Sequence, residues 1–166
     1  MKFFSPLVTL LSAAGLSMAQ AQSVEPKAPT LSFLYSMNCT VDQAVNIGAS
    51  PLYNRTAYPI TGGTFTGPRL NGTIANLGAD WGVNDRHGIW HPDTRYQLTT
   101  HDGAGIYIRT EGPTQPDELI HLRIMFETGH PDYYWLNYVV AVGILGGPDD
   151  ADYVLIDAWQ LNSPPK

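Results

Sequence analysis

The fold is decided by residues Thr94–Thr110, which read TRYQLTTHDGAGIYIRT. Two runs in which polar and apolar residues alternate flank Asp102-Gly103, a dipeptide that favours the two-residue type I′ turn of a β-hairpin. A two-residue loop puts Arg95 on the face that carries Ile106 and Ile108, because residues directly opposite each other share a face of the sheet. That face is the more apolar one, so the pattern predicts that Arg95 points into the interior of the protein.

Short strands and turn residues continue along the rest of the chain. Glycine and proline separate segments rich in Val, Ile, Thr, Tyr and Phe, and no internal repeat or amphipathic helix stands out. Such punctuation is typical of an all-β sandwich or barrel. We expect strands near residues 31–41, 56–66, 69–76, 79–84, 94–101, 104–111, 119–128, 133–145 and 151–161.

Two of these segments indicate how the sheet is buried. The strand Leu119–Glu127 alternates, so that the apolar side chains at the even positions from 120 to 126 form one face. The segment Tyr134–Ile144 is apolar on both faces; periodicity alone leaves a helix open, but the β-branched and aromatic content favours a strand buried on both sides. In a thin barrel the outer side of such a strand would contact another subunit, so we expect a homo-oligomer.

The glycine-rich stretch Ile60–Gly72 has two interpretations. A phosphate cradle needs a helix N-terminus or a nest of backbone N–H groups, and no helical pattern follows this stretch. Glycines within strands allow sharp bends, so we expect them at a corner of the barrel. His87 and His91 have the H-x3-H spacing of a metal site, but Gly88, Trp90 and Pro92 favour a loop. With no P-loop, dinucleotide fingerprint or nucleophile elbow in the sequence, we expect neither a metal ion nor a cofactor.

The N-terminus carries the pattern of an export signal. Residues 1–21 are apolar after a basic start and end in Ala19-Gln20-Ala21, which is typical of a secretory signal peptide. Three N-x-[ST] sequons follow, at Asn38, Asn54 and Asn71, and each is an acceptor for N-glycosylation in a secreted chain. The sequence therefore predicts a secreted, extracellular glycoprotein.

The remaining chain has the length of one domain. Removing 21 of the 166 residues leaves 145, enough for a single core. We expect a linker at 22–30, a β-barrel domain at 31–161 and a disordered tail at 162–166. Cys39 is the only cysteine, so no intrachain disulfide forms; it is interpreted as a buried hydrophobe, with a reactive thiol as the alternative. If Cys39 points inward, Asn38 points outward.

The charge of the chain excludes some partners. The formal net charge is −6, and loss of the leader with its single Lys2 makes it about −7. Nothing basic is clustered, which argues against nucleic acid and anionic membranes. No segment after the leader is long and apolar enough to span a bilayer, so no membrane association is expected once the leader is cleaved.

A few polar residues are candidates for chemistry. Asp80 precedes Trp81, and a carboxyl beside an aromatic ring in a pocket has a raised pKa, although Asp80 has an alternative role as a turn cap. A buried Arg95 must be paired, and Asp80 and Glu127 are the candidate partners, as a structural salt bridge or as an acid–base site. Asn137 is interpreted as a buried amide that satisfies backbone or orients a ligand.

Three parts of the sequence resemble the domain-of-unknown-function 3237 family of bacteria and fungi. The likeness spans about residues 30–160, and the leader and sequons identify a secreted, fungal member. It implies a single-domain antiparallel β-barrel, a lipocalin-like closed sheet; most members have no assigned function, and some fungal ones act as cofactor-free cyclases that close an ether ring. The segments that carry it are Pro59–Gly72 with Gly78–Trp81, Arg95-Tyr96 with Thr100–Ala104, and Phe126–Gly129 with Trp135–Asn137.

The resemblance and the polar residues together predict an enzyme. We expect a cofactor-independent cyclase or isomerase that acts on a small aromatic or polyketide metabolite by acid–base catalysis in a barrel pocket. The alternatives are a secreted barrel that binds a small molecule without catalysis, and an extracellular interaction protein. The predicted catalytic residues are Asp80, Arg95 and Glu127, and the predicted substrate-binding residues are Trp81, Trp135, Asn137 and Tyr35.

Overall fold

The computed structural model describes residues 25–51, 53–148 and 151–164, so the predicted leader lies outside the described residues. One 3₁₀ helix, Pro131–Tyr138, interrupts a chain of strands. The strands are β1 (Thr30–Val41), β2 (Val45–Ala49), β3 (Asn54–Thr66), β4 (Asn71–Asp80), β5 (Val83–Asn84), β6 (Trp90–His91), β7 (Asp93–Thr100), β8 (Gly105–Glu111), β9 (Ile120–Glu127), β10 (Ala141–Gly146) and β11 (Tyr153–Asn162).

Eight of the strands close into one antiparallel barrel. Around it the order is β1, β3, β4, β7, β8, β9, β10 and β11, and β11 pairs again with β1. Each barrel strand therefore lies beside the next barrel strand along the chain, which is up-and-down topology. The short strands β2, β5 and β6 extend from β3 outside the ring. The predicted fold, an all-β single-domain antiparallel barrel, is confirmed. An eight-stranded barrel has room inside for its own side chains or for one small ligand.

Glycine residues in β3 permit the barrel to close. Gly62 and Gly63 have positive φ angles of 147° and 131°, and the pairing of β3 with β4 is interrupted at this point. A Cβ atom on Gly63 would lie 2.0 Å from the carbonyl oxygen of Asn38 on β1. Only glycine allows both this backbone conformation and this close approach. The positive φ angles and the interrupted pairing agree with the predicted bend of the barrel at these glycines.

The core side chains come mainly from alternating positions along the strands. On β9 the side chains at 120, 122, 124 and 126 are buried and those between them are exposed, as the sequence predicts. Cys39 is buried and its neighbour Asn38 is exposed, which confirms the predicted orientation of β1. The largest fully buried side chains of the core are Tyr35, Phe65, Leu34, Met37, Leu70, Leu98, Ile106, Ile108, Leu122 and Leu136.

The predicted register of the β7–β8 hairpin is wrong by one residue. Arg95 pairs with Arg109, and the Thr100 N–H donates to the Ala104 carbonyl across a three-residue loop. The Thr100 hydroxyl accepts the Ala104 N–H at 2.8 Å and donates to Asp102, which stabilises the longer loop in place of the two-residue turn. As a result Arg95 lies on the outer face, opposite the side chains that fill the core.

The segment predicted as a strand at 133–145 is only partly a strand. Its first half is the 3₁₀ helix, which begins after His130, whose ring accepts the Asp132 N–H at 3.3 Å. Leu136 and Tyr133 of this helix are buried and close the end of the barrel where β9 finishes. The segment that is apolar on both faces is therefore two elements: a 3₁₀ helix that plugs the barrel and the short strand β10. The separate strands predicted at 69–76 and 79–84 are mainly the single, irregular strand β4.

The outer face of β1, β11 and β10 carries an exposed apolar area, which is where the predicted contact with another subunit would form. Phe33 and Val142 both pair with Trp159, and the Phe33 and Trp159 rings meet edge to face at 6.2 Å. Leu31 and Leu161 extend this exposed area at one edge. The oligomeric state stays a prediction. Within the described residues, no helix is long and apolar enough to cross a membrane.

Gly63→Ala is expected to destabilise the protein by about 2–4 kcal/mol, because the new methyl group meets backbone and the φ angle suits glycine alone. Gly129→Ala is the matched control, since a Cβ at Gly129 meets nothing within 4 Å. Urea unfolding followed by tryptophan fluorescence measures both variants. A Gly63→Ala protein as stable as the Gly129→Ala protein would contradict the role given to this glycine.

Candidate functional site

A cavity of about 310 Å³ occupies the end of the barrel where β4 finishes and β7 begins. It lies at the end opposite the 3₁₀ helix, so one end of the barrel is plugged and the other holds the cavity. Most of its lining is apolar. The lining residues are Cys39, Val41, Tyr58, Ile60, Asp80, Trp90, Pro92, Thr94, Tyr96, Thr110, Ile120, Leu145, Pro148, Ala151, Tyr153, Val154 and Ile156.

Asp80 is the acidic group of this cavity. It ends β4 and pairs with Thr94 of β7 and Tyr58 of β3, both of which line the cavity. The Asp93 N–H donates to Asp80 Oδ1 at 2.8 Å. Burial raises the pKa of Asp80 to about 6, against smaller lowering effects of the hydrogen bonds from Asp93 and Thr94. Asp80 therefore exchanges a proton close to neutral pH, which suits a general acid or base.

Aromatic side chains form the walls around Asp80. The rings of Tyr58 and Trp90 meet edge to face, with centroids 5.8 Å apart and an interplanar angle of 89°. Tyr96 lies deeper, and its hydroxyl donates to the Met37 sulfur at 3.5 Å. Among the described residues that line the cavity there is no Arg, Lys or His. The cavity is therefore suited to a flat, uncharged ligand.

Cys39 also lines the cavity. Its side chain is buried, and desolvation raises the pKa of the thiol to about 12. A thiol with such a pKa stays protonated near neutrality and is a poor nucleophile. The interpretation of Cys39 as a buried hydrophobe fits this environment better than a reactive thiol.

Arg95 does not reach the cavity, which corrects its predicted position. Its guanidinium lies outside the barrel, 3.0 Å from the Asp93 carboxylate, with its side chain 39 % exposed. The shifted hairpin register is the physical cause, because it gives the inner face to Tyr96 and the outer face to Arg95. The predicted pairs of Arg95 with Asp80 or Glu127 are therefore wrong.

Other predicted site residues lie away from Asp80. Trp81 is on the outside, because successive side chains alternate along the chain, and its carbonyl accepts a hydrogen bond from Arg55. Glu127 is exposed at the plugged end of the barrel, because β9 begins at the cavity and runs to the opposite end. Asp80 and Glu127 thus stand at opposite ends of the barrel and cannot form one acid–base pair.

The other three predicted substrate-binding residues, Asn137, Trp135 and Tyr35, contact the protein itself and do not line the cavity. The Asn137 amide accepts the Thr128 N–H at 3.0 Å and donates to the Thr128 carbonyl at 2.9 Å, which ties the 3₁₀ helix to β9. Trp135 stacks under the Arg69 guanidinium, 3.5 Å from the ring centre. Tyr35 is fully buried in the core, and its hydroxyl has no hydrogen-bond partner in the part of the chain described.

The histidine pair gives no metal centre among the described residues. His91 contacts the Asp85 carboxylate at 3.2 Å, and His87 accepts from Arg86. No group of three or more His, Cys, Asp or Glu side chains in the described ranges is arranged around a common point for a metal ion.

Sequence reasoning missed Trp90, Tyr58 and Tyr96 as the walls of the cavity. Trp90 follows a loop without periodicity, so nothing in the sequence fixes where its ring lies. Tyr96 could have been found from the alternation of β7, since Tyr96 and Leu98 share a face, but the assumed turn assigned that face to the outside.

Asp80→Asn is expected to stabilise the protein above pH 6. In the unfolded chain an aspartate has its ordinary pKa of 3.8, whereas Asp80 in the folded state has a pKa of about 6. Ionised Asp80 therefore disfavours the folded state; this penalty is absent well below pH 3.8, grows from there to pH 6 and is complete above it. We expect the variant to gain about 1–3 kcal/mol at pH 7.5 and little at pH 3.5.

Urea unfolding at both pH values measures this difference. Asp132→Asn, an exposed position at the plugged end, is the control and should leave stability unchanged. An Asp80→Asn protein that is less stable than the parent at pH 7.5 would contradict the conclusion that ionised Asp80 destabilises the folded state.

Comparisons with known proteins place the chain in a family. DUF3237, described as a protein of unknown function, matches residues 29–122. The hydroalkoxylation enzyme phnH of Penicillium herquei is 28% identical over 95% of this chain and 98% of its own length. A β-barrel-like protein from Acinetobacter baumannii is 34% identical, with a TM-score of 0.77 over 84% of this chain and 99% of that one. An enzyme from Penicillium herquei, 27% identical, has a TM-score of 0.71 over 83% and 98%. The chain therefore belongs to the DUF3237 family.

Proposed function

We propose that this protein is a cofactor-independent cyclase or isomerase that acts on a small, neutral, aromatic metabolite, with Asp80 as its acid–base residue. The observation that carries the proposal is the Asp80 carboxyl group, the one carboxyl among the described lining residues, which has a pKa of about 6 and faces a mostly apolar, aromatic cavity. The name of the relative from Penicillium herquei, a hydroalkoxylation enzyme, supports a ring closure in which a hydroxyl adds to an alkene.

The proposed reaction needs one proton donor that recovers its proton. The protonated Asp80 carboxyl gives its proton to one carbon of a substrate alkene, and the positive charge develops on the other carbon. A hydroxyl oxygen of the same substrate bonds to that second carbon and loses its proton to the Asp80 carboxylate. One C–H and one C–O bond form while the O–H bond and the alkene π bond are lost, so the product is an isomer of the substrate.

The walls of the cavity favour this order of events. A positive charge that develops in the substrate is stabilised by the aromatic rings of the lining, those of Trp90, Tyr58 and Tyr96, and by the newly ionised Asp80. A phenolate would have no cationic partner among the described lining residues. The volume of about 310 Å³ lies at the small end of ligand pockets, which suits a compact ring system.

The proposal is tested with a panel of phenols that carry an alkenyl group at the ortho position, incubated in D₂O. We expect products of the same composition as the substrate apart from one deuterium bound to carbon, detected by mass spectrometry. Asp80→Asn should lower the rate about 10²–10⁴-fold, while Asp132→Asn should not change it. Full activity in the Asp80→Asn variant would overturn the assignment of Asp80.

The rate should also follow the protonation of Asp80. Since the acid form is the reactive one, the rate is expected to be level below pH 6 and to fall about tenfold per pH unit well above it. The pH profile of the initial rate measures this. A rate that rises through pH 6 would identify Asp80 as a base in the first step instead.

A barrel that binds the same ligand without converting it is the second candidate. It is favoured because Asp80 is the one carboxyl among the described residues of a mostly apolar lining, and binding needs no second acid–base group. Under this alternative the fluorescence of Trp90 changes when ligand is added, the compound is recovered unchanged, and Asp80→Asn affects only affinity.

We propose further that the protein is exported and glycosylated. Its support is the signal-like leader and the exposure of Asn38, Asn54 and Asn71 on the outer surface. Expressed in yeast, the full chain should enter the medium with a mass that falls on treatment with peptide N-glycosidase. A triple Asn→Gln variant should lack this shift, and a chain without residues 1–21 should stay in the cells. An intracellular full chain of unmodified mass would contradict the proposal.

A further inference from the structure

The wall that holds Asp80 carries a cluster of four charged residues on its outer side: Asp93, Arg95, Arg109 and Glu111. We propose that Asp93 and its two arginines tune Asp80: the Asp93 backbone holds the Asp80 carboxyl inside the barrel, while the charges of Asp93, Arg95 and Arg109 outside act on that carboxyl through the strand. The catalytic meaning of this arrangement rests on the proposed function, but its test requires no substrate.

On the inner side, Asp93 acts through its backbone. The residue begins β7, and its N–H donates to Asp80 Oδ1 at 2.8 Å. The next residue, Thr94, pairs with Asp80 across the strands and faces the cavity. Because side chains alternate along a strand, the Asp93 carboxylate points to the opposite side of the wall. A shift of Asp93 would therefore move the hydrogen bond that fixes Asp80.

On the outer side, two arginines hold the Asp93 carboxylate. Arg95 Nη1 lies 3.0 Å and Arg109 Nε 3.7 Å from Asp93 Oδ1. Arg109 is directly opposite Arg95 on β8, and its Nη2 also binds the Glu111 carboxylate at 2.7 Å. The side chains are more than a third exposed, but Asp93 Oδ1 and Arg109 Nε are themselves buried atoms that have no hydrogen-bond partner among the described residues. The arginines therefore act on Asp93 through charge rather than through hydrogen bonds, and solvent screens this interaction only in part.

The charges of the cluster act on Asp80 through a single strand. Two carboxylates face two guanidinium groups, and Arg123 opposite Glu111 and Arg55 in the same outer hollow add further positive charge. Removal of a carboxylate makes this side more positive, and removal of an arginine makes it more negative. A net positive charge favours ionised Asp80 and lowers its pKa, whereas a net negative charge raises it. Desolvation is the main cause that raises the pKa of Asp80, and the negative charge of Asp93 raises it further by a smaller amount. The groups that face Asp80 from the other elements are the phenols of Tyr58, Tyr96 and Tyr153 and the thiol of Cys39.

The test is a titration of Asp80 by carbon-13 NMR of its carboxyl group. Asp93→Asn keeps the backbone N–H and removes the negative charge, so the pKa of Asp80 should fall by about half a pH unit or more. Arg95→Ala leaves Asp93 unbalanced and should raise the pKa, and Arg109→Ala should act in the same direction. Arg95→Lys keeps the charge and should restore the parent value.

Arg69→Ala is the control, because it removes the same charge from the plugged end and should not change the Asp80 titration. Opposite shifts for Asp93→Asn and the arginine variants support the inference. Shifts in the same direction, or none, overturn it, because a purely structural role would not depend on the sign of the removed charge. Failure of every substrate in the alkenyl panel would count against the proposed function and leave these titrations unaffected.

Discussion

The closure of β1 on β3 is the contact on which the rest of the molecule depends. Without it the sheet has two open edges and no distinction between inside and outside, so neither a core nor a cavity exists. The contact is possible because residue 63 is a glycine: the Asn38 carbonyl oxygen occupies the space that a side chain at this position would need. Closure therefore depends on residues with no side chain, and the aromatic core then fills the volume that they enclose.

Local pattern predicted much of this fold, and the reasons are visible in particular strands. Alternation on β9 gave its buried face, and glycine in β3 indicated a bend, because both depend on residues that are adjacent in sequence. The register of β7 and β8 depends on Thr100 and Asp102 instead, and Asp102 also accepts a hydrogen bond from Tyr133, thirty-one residues away. No dipeptide preference includes that contact, so Arg95 was assigned to the wrong face.

The site was predicted in part for the same reason. Asp80 was found from its aromatic neighbourhood, but the rings that form the cavity come from other strands, and its adjacent Trp81 faces outward. Glu127 could have been separated from Asp80 by counting strands. In an up-and-down barrel the end of one strand meets the beginning of the next, so β4 ends, β7 begins, β8 ends and β9 begins at one rim. Glu127, at the finish of β9, must then lie at the other rim.

The position of Asp80 connects stability with chemistry. A carboxyl in an apolar wall is destabilising when ionised, and the hydrogen bonds from Asp93 and Thr94 offset that cost only in part, since its pKa stays above that of a free aspartate. The same desolvation makes Asp80 a stronger base when ionised and keeps much of it protonated near pH 6. The described lining residues include aromatic rings and no cation, so the cavity stabilises positive charge better than negative charge. The proposed reaction therefore begins with protonation of the ligand, and the carboxylate formed in that step is the group best placed to complete it.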